Sequence, residues 1–250
     1  MTAPLLTIIV PTYKRSANLS ILLHALREEV ASVADDVVVY VSDNCSPDDT
    51  PAVIERISAD WPALHTYRHA SNVGPDNNFC HCVQSVRSRW FWIIGDDDLP
   101  KRGIVVKLLS LLRQRQPALL YMQSEWMNPV LSPDQGIPVG PLRVAELDAQ
   151  TFAESVHVWT TYISAVVIDC ERLAAALQGQ SINRFNATNL VQLGWVLPLL
   201  KTTGPFLFVL DRCILATKDN SGGYGLLTVF GVNFARIVND SFGTESPLSR

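Results

Sequence analysis

No apolar run in the 250 residues approaches the roughly 20 needed to span a bilayer, so the chain is not expected to cross a membrane. There is no block of like charge either, and the formal net charge of -4 offers no basic face of the kind that holds nucleic acid. Glycine-rich phosphate loops are missing. The first apolar run ends in Pro11-Thr12-Tyr13-Lys14-Arg15, and no G-x-G-x-x-G follows any predicted strand. That sets aside a dinucleotide dehydrogenase and weighs against a sugar nucleotidyltransferase. The 5 cysteines (Cys45, Cys80, Cys82, Cys170 and Cys213) are scattered, and no secretory leader precedes the first predicted strand. Reduced thiols in a cytoplasmic protein are therefore expected. Cys80-His81-Cys82 finds no second ligand pair at zinc-like spacing, so structural zinc is not expected. Internal repeats, low-complexity tracts and linkers are absent too.

What the sequence has is a large core: 48% of its residues are apolar, enough for one α/β domain over 1–250. Leu5 to Val10 is β-branched and uninterrupted, a buried strand. After Ser16, a candidate N-cap, Leu19, Leu22, Leu23, Leu26 and Val30 recur at helical spacing. Asp36 to Val41 is a second strand, and Thr50-Pro51 starts a second helix with proline where its missing N–H does no harm. A third strand over 64–69, the loop 71–78, a helix through Arg87 and a strand from Trp90 complete an alternating order. That order predicts a mostly parallel, Rossmann-like sheet flanked by helices, with ligands beyond the carboxyl ends of its strands. Thr12, Tyr13, Asp43, Asn72 and Asp96 to Asp98 lie at those ends and should converge.

Beyond Pro100 the spacing predicts a helix over 104–112, strands over 118–123 and 162–168, helices near 151–157 and over 189–201, and strands over 206–210 and 213–216. Pro129 to Pro141 and Asp219 to Tyr224 read as loops, and 226–238 as an amphipathic helix. Its apolar stripe, Phe230, Phe234 and Ile237, is expected to pack on the domain or on a second copy in a homo-oligomer. Peripheral contact with a membrane surface, Arg236 near the headgroups, is the lesser alternative.

The candidate chemistry sits at the end of Trp90-Phe91-Trp92-Ile93-Ile94-Gly95-Asp96-Asp97-Asp98, where a buried strand meets three adjacent acids. Such clusters also serve as turns and caps. Adjacent carboxylates repel, however, and a hard divalent cation between them would relieve the repulsion. In an extended strand Asp96 and Asp98 would share one side and Asp97 the other.

Four features now coincide in order: Val10-Pro11-Thr12-Tyr13-Lys14-Arg15, Val41-Ser42-Asp43-Asn44-Cys45-Ser46, Asn72-Val73-Gly74, and Gly95-Asp96-Asp97-Asp98. Together they resemble the family-two glycosyltransferases of GT-A fold, most closely over residues 5–125. The resemblance implies a nucleotide-sugar-binding half, 1–125, and a less regular acceptor-side half, 126–250, ending in a helix. It implies transfer of a sugar from a nucleotide diphosphate sugar to an acceptor hydroxyl. Pro11, Thr12, Tyr13 and Asp43 would hold the nucleotide, and Asn72, Gly74 and Asn78 would line the donor pocket. Asp96, Asp97 and Asp98 would face the donor, with Asp96 and Asp98 holding Mn²⁺ or Mg²⁺ and Asp98 the expected direct ligand.

Inverting members of that family usually carry a carboxylate base in the second half, and the corresponding place, Phe185-Asn186-Ala187-Thr188-Asn189-Leu190, has no acid. Asp169 and Glu171 read as strand-exit and helix-start residues, and His157 as a structural histidine. The segments 159–164, 188–195 and 220–224 resemble the abequosyltransferase-like branch. That branch implies CDP-linked dideoxy sugars, surface-polysaccharide (O-antigen) synthesis, a lipid-linked glycan acceptor at the inner membrane face, and amides at Asn189 and Gln192 positioning the substrates. The rival from another class is a non-catalytic nucleotide-sugar-binding module that has lost its base.

Overall fold

The computed structural model describes residues 3–127, 137–217, 225–243 and 246. The expected loop 219–224, and 129–136 of the loop expected over 129–141, lie outside these residues.

The first half follows the alternation read from the sequence. Strands β1 (Leu6–Thr12), β2 (Val37–Asp43), β3 (Leu64–Arg68) and β4 (Trp90–Ile93) are mutually parallel in the order β3-β2-β1-β4. Helices α1 (Ser16–Val30), α2 (Thr50–Ser58) and α3 (Pro75–Ser85) connect them. Strand period 2 divides the side chains between two cores. Leu6, Ile8, Val10, Trp90 and Trp92 enter one, with α1, α2 and α4 (Ile104–Arg115). Ile9, Phe91 and Ile93 enter the other. The buried indole N–H groups of Trp90 and Trp92 donate to the Pro117 and Ser164 carbonyls, 3.0 and 2.7 Å away, so neither ring is buried at the cost of an unmet donor.

The second half continues the same sheet with mixed directions. Its strands are β5 (Leu99–Pro100), β6 (Leu119–Met127), β7 (Val144–Leu147), β8 (Val166–Asp169) and β9 (Phe206–Thr217). The sheet order is β3-β2-β1-β4-β8-β6-β9-β5, with β7 also on β9. Strands β6 and β9 run with the first four, while β5, β7 and β8 oppose them. Helices α5 (Ala149–Val156), α6 (Cys170–Leu177), α7 (Leu193–Leu199) and α8 (Phe234–Phe242) cover the second core. The result is a mixed α/β fold with a large, mostly parallel sheet flanked by helices.

Local chemistry moved several expected boundaries. The strand expected from Tyr162 begins at Val166, because 157–161 and 163–165 form short 3-10 turns. The helix expected from Asn189 begins at Leu193, because Ala187 and Asn189 hold left-handed φ values of 63° and 58°. The strands expected over 206–210 and 213–216 are one, β9, whose register on β6 shifts around Gln123. Helix α1 has no side-chain N-cap, so Ser16 does not cap it. In the tail, Phe230 and Phe234 pack on the second core and Ile237 is buried in it, while Leu227 on the π-helical turn 227–233 is exposed.

Candidate active site

Beyond the carboxyl ends of β1 and β4 lies a cleft of about 390 Å³, walled on one side by Pro11 and Asp96 to Asp98 and on the other by Asn189 and Gln192. The chain here is not extended. Asp96 and Asp97 form a turn closed by the Asp98 N–H donating to the Gly95 carbonyl at 3.1 Å. The alternation expected for an extended D-x-D is thus corrected: the three neighbouring carboxylates stand on a turn. Gly95 is needed for the close approach, since a Cβ there would stand 3.0 Å from Asp97 Oδ1 and 3.2 Å from Asp98 Oδ2.

Each acid is tied to a different element. Asp96 Oδ2 accepts from the Thr12 hydroxyl at 2.7 Å, which locks the turn to the end of β1. Asp97 Oδ2 faces Arg15 at 3.8 Å. Asp98 Oδ2 accepts from the hydroxyls of Tyr162 and Ser164, at 2.8 and 2.5 Å, and its Oδ1 accepts the Thr217 N–H at 3.2 Å. Burial, and then the charge of Asp97, push the Asp98 carboxyl up to about 6 against those three donors. Burial pushes Asp96 up to about 7, opposed chiefly by the Thr12 hydroxyl. Tyr162 is raised by burial and by Asp98, so it stays a phenol and a donor. The turn is short of positive charge, and its all-oxygen donor set suits a hard divalent cation. Among the described residues no group of three His, Cys, Asp or Glu side chains could hold a metal ion alone. An ion held by Asp96 and Asp98 would take further oxygens from a ligand and water, the usual arrangement for Mg²⁺.

The other expected site residues form a row beside this cleft. Thr12 lies opposite Asp43, and Asp43 opposite Arg68, across three strand ends. Asp43 is buried; Oδ1 accepts the Ser46 N–H, while Oδ2 lies 3.2 Å from Arg68 Nε without a hydrogen bond's geometry. One acceptor oxygen of Asp43 is thus left unsatisfied. Tyr13 is 36% exposed at the mouth of this row, with the Lys14 ammonium 5.1 Å from its ring centre. Asn72 Oδ1 accepts from Asn44 Nδ2 and the Gly74 N–H, so it braces its own loop. At Gly74, space is open where a Cβ would stand; φ of 82° with ψ of 162° is what demands glycine. Asn78 is buried beneath the row, bonded to both the hydroxyl and the carbonyl of Ser42 and to His69. It holds the floor and does not line the cleft.

On the far wall, Asn189 stands where a base was sought, and the segment 187–189 is held from below. Asp76, in the first turn of α3, accepts the N–H groups of Thr188 and Asn189, both at 3.0 Å. Burial raises its pKa even so. Gln192 donates to the Thr161 carbonyl, while its buried Oε1 has no hydrogen-bond partner among the described residues. Asp169 caps α6 through the Glu171 and Arg172 N–H groups and pairs with Arg89 at 3.3 Å, a structural role. Sequence reasoning missed Arg15 and Arg68 beside the acids, the Tyr162 and Ser164 clamp, and Asp76. The two arginines, standing at strand exits, were findable; the rest depend on contacts more than sixty residues apart.

Residues 7–130 match the family described as "Glycosyl transferase family 2". Just under half of the chain, 7–130, is thus similar to that family. No curated protein sequence matches it. In structure it is similar to TarS of S. aureus, with TM-score 0.70 and 15% identity over 94% of this chain and 38% of that one. It is similar to the TarS fragment 1–349 in complex with UDP-GlcNAc, with TM-score 0.68 and 16% identity over 95% of this chain and 67% of that one. It also resembles the mannosyltransferase PcManGT of Pyrobaculum calidifontis, in complex with GDP-Man and Mn²⁺, with TM-score 0.68 and 13% identity over 96% of this chain and 64% of that one. The chain thus spans between about two fifths and two thirds of the length of these structures. These likenesses assign the GT-A fold, and the acid turn and the row from Thr12 to Asp43 fall within the family 2 segment.

Proposed function

We propose that the chain transfers a sugar from a nucleotide diphosphate sugar to a hydroxyl of a glycan acceptor, with Mn²⁺ or Mg²⁺ held by Asp96 and Asp98. The observation that carries this reading is the acid turn: three carboxylates at a cleft within the segment that matches family 2, two of them driven toward protonation by burial and by the charge of Asp97. A bound divalent ion would neutralise charge developing on the departing diphosphate. The chain's own residues do the rest. Thr12, Tyr162 and Ser164 hold the acids' orientation, and Arg15 adds positive charge beside Asp97. The unsatisfied Asp43 oxygen is an acceptor for a base N–H or exocyclic amine, and Tyr13 offers a ring face. Asn189 supplies an amide where a base is usual, so it orients an acceptor hydroxyl without taking its proton.

We further propose that 1–250 acts as one domain, cytoplasmic and working at the inner face of the plasma membrane on a lipid-linked acceptor. A CDP-linked dideoxyhexose donor in surface-polysaccharide (O-antigen) synthesis is the specific version of this reading. No helix among the described residues is long and apolar enough to cross a membrane. The absent acid at 185–190 favours a second reading, a nucleotide-sugar-binding module without turnover.

Thermal unfolding with UDP, CDP, GDP and dTDP, each with and without Mn²⁺, tests the donor site. Ligand at a hundred times its dissociation constant stabilises by about 2.7 kcal/mol, a rise of roughly 5–10 °C here. A metal-dependent rise with one nucleotide is expected, and CDP would be the one for the dideoxyhexose donor. No rise with any of them overturns the donor site, and a rise without turnover of any nucleotide sugar selects the module.

A further inference from the structure

Beside the acid cleft lies a second cleft of about 270 Å³, whose polar lining comes from Gln123, Ser124, Ser155 and His157. Trp126 and Trp159 line both clefts and form the partition between them. These indoles are 45% and 44% exposed, although rings of this size contribute most when buried. Their ring centres are 5.8 Å apart, and Tyr162 stands 5.7 Å from Trp126. The Tyr162 hydroxyl donates to Asp98, so an aromatic ridge runs from the second cleft to the acids.

The chemistry of this cleft is unlike that of its neighbour. No Asp, Glu, Lys or Arg is among its described lining residues, so none of these would compensate a charged ligand. Flat apolar faces stand beside hydroxyl, amide and imidazole groups, which suits a ligand with an apolar face and a rim of hydroxyls. On the acid-cleft side of the ridge, Gln192 Oε1 is buried without a hydrogen-bond partner among the described residues, and a ligand hydroxyl would satisfy it.

We infer that the second cleft is a subsite for a neutral pyranose ring stacked on Trp126 and Trp159, its hydroxyl edge turned along the aromatic ridge toward Asp98. That the ring belongs to the acceptor of the transfer proposed above rests on that reading; the binding of the ring does not.

The test is ligand-observed NMR on the full chain, with the methyl pyranosides of glucose, galactose, mannose, rhamnose and N-acetylglucosamine, and with sialic acid as the charged control. At least one neutral glycoside binds and sialic acid does not. Trp126→Ala and Trp159→Ala each weaken binding by roughly tenfold or more, and Trp126→Phe recovers part of it. Ser155→Trp, which fills the second cleft from α5, abolishes binding, and its melting temperature reports that the fold survives. Absence of binding by any neutral glycoside, or equal binding by wild type and both alanine variants, overturns the subsite. Glycoside binding that persists while no nucleotide stabilises the protein would keep the subsite and remove the transfer reaction.

Discussion

The two halves of the sheet position their site residues by different means. In β1 to β4 the backbone does it: parallel strands in register end together, so Thr12, Asp43 and Arg68 meet whatever their side chains do. In the second half, side chains do it. The turn 162–164 is held by its hydroxyls on Asp98, and the left-handed segment 187–189 by its N–H groups on Asp76. Asp98 and Asp76, acids of the first half, therefore clamp the second half, and the proposed metal site would give Asp98 a second role. Placement by backbone should survive a single substitution, and placement by a clamp should not.

The largest expected effect comes from separating those two roles at Asp98. Asp98→Asn keeps an acceptor for Tyr162 and Ser164 but removes the charge that a cation would meet. Metal-dependent sugar transfer should fall by about a hundredfold or more, with stability changed by only about 1 kcal/mol. Transfer rates across a Mn²⁺ titration, set beside thermal unfolding, check this; full activity would remove Asp98 from the metal site. Asp76→Ala attacks a pure clamp. A buried N–H group, that of Thr188, and a part-buried one, that of Asn189, lose their acceptor, so stability should fall by about 2 kcal/mol and the midpoint by roughly 4–8 °C. Hydrogen exchange at Thr188 and Asn189 should rise with it, and unchanged exchange there would mean that the segment holds itself.

Next in size is the pH response of the metal-free protein. Asp96 and Asp98 titrate near 7 and 6 when folded, against about 4 when unfolded. The folded state therefore binds more protons across that window, and stability falls as pH rises from about 4 to 7. Arg15 works against the effect and Asp97 with it. Denaturant unfolding at pH 5 and pH 7 measures the slope, and Mn²⁺ should flatten it; a stability that rises with pH would contradict the crowding of the acids. The smallest effect should be Gly74→Ala. It meets no steric obstacle yet adopts a backbone conformation reserved for glycine, at a cost of about 1–2 kcal/mol read from the urea midpoint.

The same division explains what could be read from the sequence. Unbroken apolar runs, Pro51 at a first helical turn, and acids at strand exits are local signals, and they located β1 to β4 and the acid turn, while α3 begins at Pro75, inside the loop expected over 71–78. The second half lacks such signals. Pro100 argues against a strand, yet β5 exists because β9 lies alongside to pair with it. Val144-Ala145-Glu146-Leu147 has little strand character, and pairing with β9 makes it one. Tyr162 and Ile163 look like strand residues, but the hydroxyl clamp on Asp98 bends them into a turn. Asn78 was misplaced for a related reason: a polar residue near a glycine loop looks like a ligand contact until its amide is found bonded to Ser42 and His69 beneath the surface.

Strand β8 has a consequence for how the chain is made. It lies between β4 and β6 although it follows both in sequence, and the described partners of β6 are β8 and β9 alone. During synthesis, the segment 7–130 will therefore have left the ribosome with three open strand edges, one on β4 and both on β6, before the residues that fill the gap exist. Until about forty further residues emerge, at some 5–20 per second, those edges are the places where a chaperone or a neighbouring nascent chain could pair.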